Sequence, residues 1–178
     1  PEPDVVVRVG ASPTSKRLRK YLASVDARQV VVDPAAGWRE AEFTATDLVV
    51  ADPSRLFGRL ARVLSGPGSQ SWRERWTAAE AAHTAVLDES DAFCEGRIVA
   101  DVLDLAPDPS TVFVSNSMPV RDLDRFGAPS TGAYTALGNR GASGIDGIVS
   151  TALGAGSATT DDLTLVTGDL AYYHDMNG

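Results

Sequence analysis

Gly138-Asn139-Arg140-Gly141-Ala142-Ser143-Gly144-Ile145-Asp146-Gly147 places four glycines and an arginine in ten residues, directly before a run of small and apolar residues from Ile148 to Ala155. Glycine lets a backbone approach a ligand closely and enter positive φ. Arginine presents a planar fork of donors to a carboxylate or phosphate. Ser143, with Asp146 three residues on, reads as a capping-box-like start to a helix. Taken alone, the stretch equally describes a tight loop ahead of a buried helix. Further along, the apolar run Leu163-Thr164-Leu165-Val166-Thr167 leads into Gly168-Asp169-Leu170. That is a short strand ending in a carboxylate where a helix would begin. Such a carboxylate can hold a divalent cation that bridges to phosphate at the helix N-terminus. A plain strand-to-helix turn uses the same residues as caps.

Outward from these segments, strands alternate with helices. Val5 to Val9 is a compact β-branched run, as expected of a strand buried in a parallel sheet. A turn at Gly10-Ala11-Ser12-Pro13-Thr14 precedes a helix over Ser15 to Leu22. Val30 to Val32 and Leu48 to Val50 read as further strands, and Pro53 opens a helix reaching Val63. Ser65-Gly66-Pro67-Gly68-Ser69 is the clearest linker. An amphipathic helix is expected over Trp72 to Leu87, where Trp72 and Trp76 fall on one packing face. Another helix is expected over Arg97 to Leu105. After Pro107-Asp108-Pro109, Thr111 to Val114 is a strand, Ser115-Asn116-Ser117 a turn, and Val120 to Arg125 a helix. The alternation predicts an α/β fold with parallel sheets and flanking helices. Neither end reads as a domain boundary, so a piece of a longer protein is expected.

Composition narrows the function classes. At 178 residues and 43% hydrophobic content, the chain is long enough for one large or two small cores. No run approaches the ~18 apolar residues that span a bilayer, and Pro1-Glu2-Pro3-Asp4 does not open a signal peptide. Membrane insertion is therefore not expected, and a cytoplasmic location is. The net charge of −8 argues against a nucleic-acid partner. Only Lys16 and Lys20 are lysines among sixteen basic residues. Scarce lysine on an acidic chain points to salt adaptation, because salt screens self-repulsion; a GC-rich genome would also favour arginine. Cys94, the single cysteine, excludes an internal disulfide and reads as a small packing residue.

Together the two segments resemble the thiamine-diphosphate enzymes. Within these they resemble the 2-succinyl-5-enolpyruvyl-6-hydroxy-3-cyclohexene-1-carboxylate synthase family of the menaquinone pathway. The likeness runs along nearly the whole chain and is strongest from Ser115 to Asn177. It implies that residues 1–65 are part of a central Rossmann-like domain and that 66–92 are a linker and connector helix. Residues 93–178 would then begin a C-terminal domain for thiamine diphosphate and Mg2+ (or Mn2+). Both domains would be incomplete, and the pyrimidine-activating glutamate and the second metal ligand would lie outside this sequence. The chain by itself is therefore expected to be inactive, and no residue in it inherits a catalytic role.

By the same resemblance, Asp169 matches the metal ligand, flanked by Gly168 and Leu170 in the cofactor site. Ile145 matches the apolar residue that supports the bent cofactor. Ser117 and Arg121 match the serine and arginine of an Asn-Ser-x-x-x-Arg segment at the active-site edge. Arg140 matches the loop arginine, and Lys16-Arg17 a pair from the central domain. The implied activity is that of a transferase. It decarboxylates 2-oxoglutarate and adds the succinyl-semialdehyde carbanion to isochorismate, in a homodimer or homotetramer. Lys16, Arg17, Arg121 and Arg140 suit two dicarboxylate substrates. Read alone, Lys16-Arg17 more often describe a solvated surface helix, and Arg121 also suits a helix charge pair. Two other readings stay open: another thiamine-diphosphate 2-oxoacid enzyme of the acetolactate synthase kind, and a non-catalytic Rossmann-like module that binds an anion. His83, His174 and Asp175 are assigned no role, and Gly154-Ala155-Gly156 is not a dinucleotide fingerprint.

Overall fold

The computed structural model describes residues 2–89, 92–127 and 132–177. It divides into two compact units, Pro1–Ser90 and Asp91–Gly178. In the first, β1 (Val5–Val9), β2 (Arg28–Val32) and β3 (Asp47–Val49) form a parallel sheet in that order, with Val5 opposite Arg28 and Val30 opposite Asp47. Three helices accompany it, each started by a side chain that takes up a free backbone N–H. The Ser15 hydroxyl accepts from Leu18 N at 3.3 Å and opens α1 (Lys16–Ser24). The Asp52 carboxylate accepts from Arg55 N at 2.8 Å and opens α2 (Pro53–Val63), where the fixed φ of Pro53 suits the first turn. The Ser69 hydroxyl accepts from Trp72 N at 3.2 Å and opens α3 (Gln70–Asp88).

β1 is an edge strand with Val5, Val7 and Val9 exposed, whereas β2 in the centre contributes the buried Val31 and Val32. β-branching favours extended backbone but does not choose a strand's place in the sheet. The α3 helix is not amphipathic in the expected sense: among its described residues only Trp72 and Leu87 are half-buried. Its aromatic contacts are edge-on, with ring centroids 5.9 Å apart for Trp72 and Trp76 and 5.8 Å apart for Tyr21 and Trp76. Cys94 is exposed at the start of a helix rather than packed.

The second unit places a parallel sheet between helices. β4 (Ser110–Val114) lies between β5 (Tyr134–Leu137) and β6 (Asp162–Val166). The helices are α4 (Glu95–Leu105), α5 (Met118–Phe126), α6 (Ile148–Ser157) and α7 (Asp169–His174). Every residue of β4 is buried. Alternate side chains of a strand face opposite ways, so β4 feeds two cores. Phe113 packs with Ile148, Ala152 and Ala171 on one face, while Val112 and Val114 pack with Leu103 on the other. β5 has no counterpart in the sequence reading, because four residues ahead of a glycine-rich loop carry too little pattern to mark a strand.

Candidate functional site

The strand order β5-β4-β6 makes β4 a topological switch point, with the chain passing first to one side of it and then to the other. In parallel α/β sheets, ligands bind beyond the carboxyl ends of the strands at such a point. A cavity of about 430 Å³ lies there, within the usual range of small-molecule sites. Residues 116–119, which follow β4, and 166–171, at the end of β6, form much of its wall.

The turn out of β4 is sharp. Val120 N donates to Ser115 O at 3.1 Å, which forces Ser117 to φ +71°, ψ −122°. A side chain in that region costs on the order of 1–3 kcal/mol, and such strain is typical of functional sites. Arg121 Nη1 donates to Ser117 O at 2.6 Å and so braces the turn from the helix it begins. The preceding Asn116 is 1% exposed. Its Nδ2 donates to Asn139 O at 2.7 Å and Gly144 O at 2.6 Å, while its Oδ1 accepts from Arg140 Nη1 at 2.6 Å.

That amide holds the glycine-rich loop beside the cavity. Ile145 is half-buried, lines the cavity and packs against the Phe113 core, so a supporting role and a core role coexist in one side chain. The expected Ser143/Asp146 capping box is not formed. The α6 helix starts at Ile148 with Gly147 at its N-cap in a left-handed conformation (φ +66°) and no side-chain cap from that residue. The Asp175 carboxylate serves instead, accepting from Ser150 N at 2.7 Å and from the Ser150 hydroxyl at 3.1 Å. Asp146 faces His174, with Oδ1 to Nδ1 at 3.6 Å. A loop of this length can be capped from another element more readily than from within, because its glycines leave the local geometry unfixed.

Asp169 is the first residue of α7, exposed and on the cavity wall, with Gly168 and Leu170 beside it. Among the described residues no three His, Cys, Asp or Glu side chains converge on one point. A lone carboxylate fits Mg2+, which takes one or two protein carboxylates and completes its shell with phosphate oxygens and water. It does not make a protein-only cage. The five residues expected around the cofactor, Ser117, Ile145, Gly168, Asp169 and Leu170, thus line a single cavity.

No family model matches the chain. Curated relatives do. The chain is 57% identical to the 2-succinyl-5-enolpyruvyl-6-hydroxy-3-cyclohexene-1-carboxylate synthase of Haloquadratum walsbyi, over 100% of this chain and 34% of that protein. It is 63% identical to the synthase of the same name from Natronomonas pharaonis, over 99% of this chain and 30% of that protein. For the Bacillus pumilus synthase the identity is 37%, over 99% of this chain and 31% of that protein. The chain belongs to this synthase family.

It spans about a third of the length of the synthases it matches. Of the basic residues expected at a synthase active site, Arg121 and Arg140 lie in the second unit, both exposed. Lys16 and Arg17 lie in the first unit, exposed on the first turn of α1.

Three further groups line the cavity that no sequence pattern had marked: Asn116, Asp122 and Glu95. Asp122 is 4% exposed. Burial pushes its carboxyl up, the negative charge of Glu95 adds to this, and Arg125 and Arg121 offset part of it. No spacing rule reveals that α4 and α5 bring Glu95 and Asp122 to one wall. Asn116 did carry a signal, as a polar residue at the end of an apolar strand beside the matched Ser117.

Proposed function

We propose that this chain supplies the diphosphate and metal side of a thiamine-diphosphate-dependent synthase of menaquinone biosynthesis. The enzyme would decarboxylate 2-oxoglutarate and join the four-carbon remainder to isochorismate. The observation that carries this reading is the single cavity at the β4 switch point, lined by all five residues expected around the cofactor. The names of the curated relatives support it.

Thiamine diphosphate, when bound, supplies the carbanion-stabilising centre that such a carboligation needs. The roles of the chain's own residues follow from their chemistry. Asp169 contributes one carboxylate oxygen to a divalent cation, and Ile145 gives the cavity an apolar support. Ser117 offers a hydroxyl from its strained turn. Arg140 uses one donor on Asn116 and keeps the others for a substrate carboxylate. Lys16 and Arg17 are proposed to neutralise a second carboxylate from the central domain, and residues 1–65 to belong to that domain. The full-length enzyme is proposed to be a cytoplasmic homodimer or homotetramer. No helix among the described residues is long and apolar enough to cross a membrane. Salt adaptation also belongs to this proposal, supported by the charge of −8, the two lysines and the archaeal relatives from halophiles.

The test is turnover by the full-length protein in high salt with Mg2+ and thiamine diphosphate. Carbon dioxide release that requires both 2-oxoglutarate and isochorismate is expected. Turnover with pyruvate alone would move the protein to the acetolactate synthase kind. A folded, cofactor-supplied protein that turns over neither would leave the anion-binding module.

A further inference from the structure

The Asn116 side chain commits every strong hydrogen-bonding direction but one to a single loop. Both Nδ2 hydrogens go to loop carbonyls, those of Asn139 and Gly144, and Oδ1 receives the Arg140 guanidinium. The reverse amide orientation would set Oδ1 against two carbonyl oxygens and the NH2 group against a cation, so the network admits only one orientation. At 1% exposure, these bonds face little competition from water.

The two carbonyls belong to the residues immediately before Arg140 and Ile145. One bond therefore fixes the peptide from which Arg140 springs, and the other fixes the peptide from which Ile145 reaches the cavity. The loop's other side-chain contacts lie near its ends, with Asn139 Nδ2 donating to Thr151 Oγ1 at 3.2 Å and Asp146 facing His174. Between them, residues 138–147 have no helix or strand of their own and include Gly141 and Gly144. Their backbone freedom has to be removed by a partner outside the loop.

We infer that Asn116 is a positioning residue that holds the Arg140 guanidinium in one fixed relation to the Ile145 side chain, which lines the cavity. It acts through the loop, and the naming of Arg140's ligand as a substrate carboxylate rests on the function proposed above. An aspartate could keep the bond to Arg140 but would present oxygen to both carbonyls, which explains why an amide stands here.

The experiment uses the full-length protein with N116A and the near-isosteric N116D, which retains shape if N116A folds poorly. Hydrogen exchange over residues 138–147 is measured without substrates, and KM and kcat are measured with 2-oxoglutarate and isochorismate. Faster exchange in that loop is expected in both variants, with exchange in β1 and β2 unchanged. A rise in KM for a dicarboxylate is expected too, with kcat/KM falling about 100-fold, as for other misplaced binding groups. N116D is expected to keep more of the affinity than N116A, because it still meets Arg140. Unchanged loop exchange in N116D overturns the inference whatever the kinetics, and so does faster exchange in a working enzyme whose KM values stay put. If the parent protein turns over neither substrate, the proposed function fails, while the exchange measurement still decides the clamp.

Discussion

Asp175, just past α7, caps the first turn of α6 by accepting hydrogen bonds from the backbone N–H and hydroxyl of Ser150, 25 residues earlier in the chain. The helix that follows the glycine-rich loop is thereby tied to the helix that Asp169 begins. A carboxylate there also meets the positive end of the α6 dipole. The two segments that mark the family in sequence are thus joined mechanically.

Replacing Asp175 with alanine removes that cap. The loss expected is about 1–2 kcal/mol of unfolding free energy, as for other N-cap deletions. Urea denaturation of the full-length protein measures it, and an unchanged midpoint would show that the α6 end is held by other means.

Ser117 sits at φ +71°, ψ −122°, where glycine is at ease and serine is not. S117G is expected to relieve strain worth on the order of 1–3 kcal/mol, less the ~1 kcal/mol that glycine adds to unfolded-chain entropy. S117A removes the same hydroxyl without relieving the backbone. A protein stabilised by glycine, not by alanine, and weakened in cofactor affinity by both would establish that the strain is kept for the hydroxyl.

Glu40 in the first unit is buried against Arg8, with Arg8 Nη1 to Glu40 Oε1 at 3.2 Å. Burial alone would raise its carboxyl. The backbone N–H groups of Glu42, Ala45 and Thr44, with Arg8, outweigh it and hold the carboxyl below its ordinary value. The unfolded chain therefore takes up this proton first as the pH falls. The stabilisation is complete above about pH 4.5 and is lost as the pH drops through the lowered value. E40Q is expected to cost about 3 kcal/mol at pH 7, since it leaves Arg8 buried without its counter-charge. Denaturation midpoints across the pH range should show the two proteins converging in acid.

Asp122 has the opposite sign. Its carboxyl is pushed up by burial and by Glu95, so the folded state holds this proton longer than the unfolded chain does. Its contribution to stability falls as the pH rises from the ordinary carboxylate value through the raised one. D122N is therefore expected to be more stable than the parent at neutral pH, and the gain should vanish in acid. A destabilised D122N at pH 7 would mean that the carboxylate is held by a partner in the full-length protein.

Much of this architecture was legible because it depends on local chemistry. The Val5–Val9 run, Pro53 after the capping Asp52, and the apolar strand running into Gly168-Asp169 each express a preference of a few adjacent residues. The glycine-rich loop with its arginine marked the family by residue type and spacing alone. What escaped were relations between distant residues. The edge position of β1 follows from how three strands are ordered, which β-branching does not encode. The expected capping box is absent because α6 starts at Ile148, beyond both of its residues, and the cap comes instead from Asp175, which β6 and its turn carry to Ser150.

The same division holds at the site. The sequence determined which side chains were present: a carboxylate at Asp169, an apolar wedge at Ile145, donors at Arg121 and Arg140. Tertiary structure alone decided that Ser117, Ile145 and Asp169 share one cavity, that Asn116 clamps the loop, and that Asp122 is buried beside Glu95. Residue chemistry is fixed when the chain is made, but distance and burial arise only when β4 becomes the central strand and its two neighbours bring their carboxyl ends together.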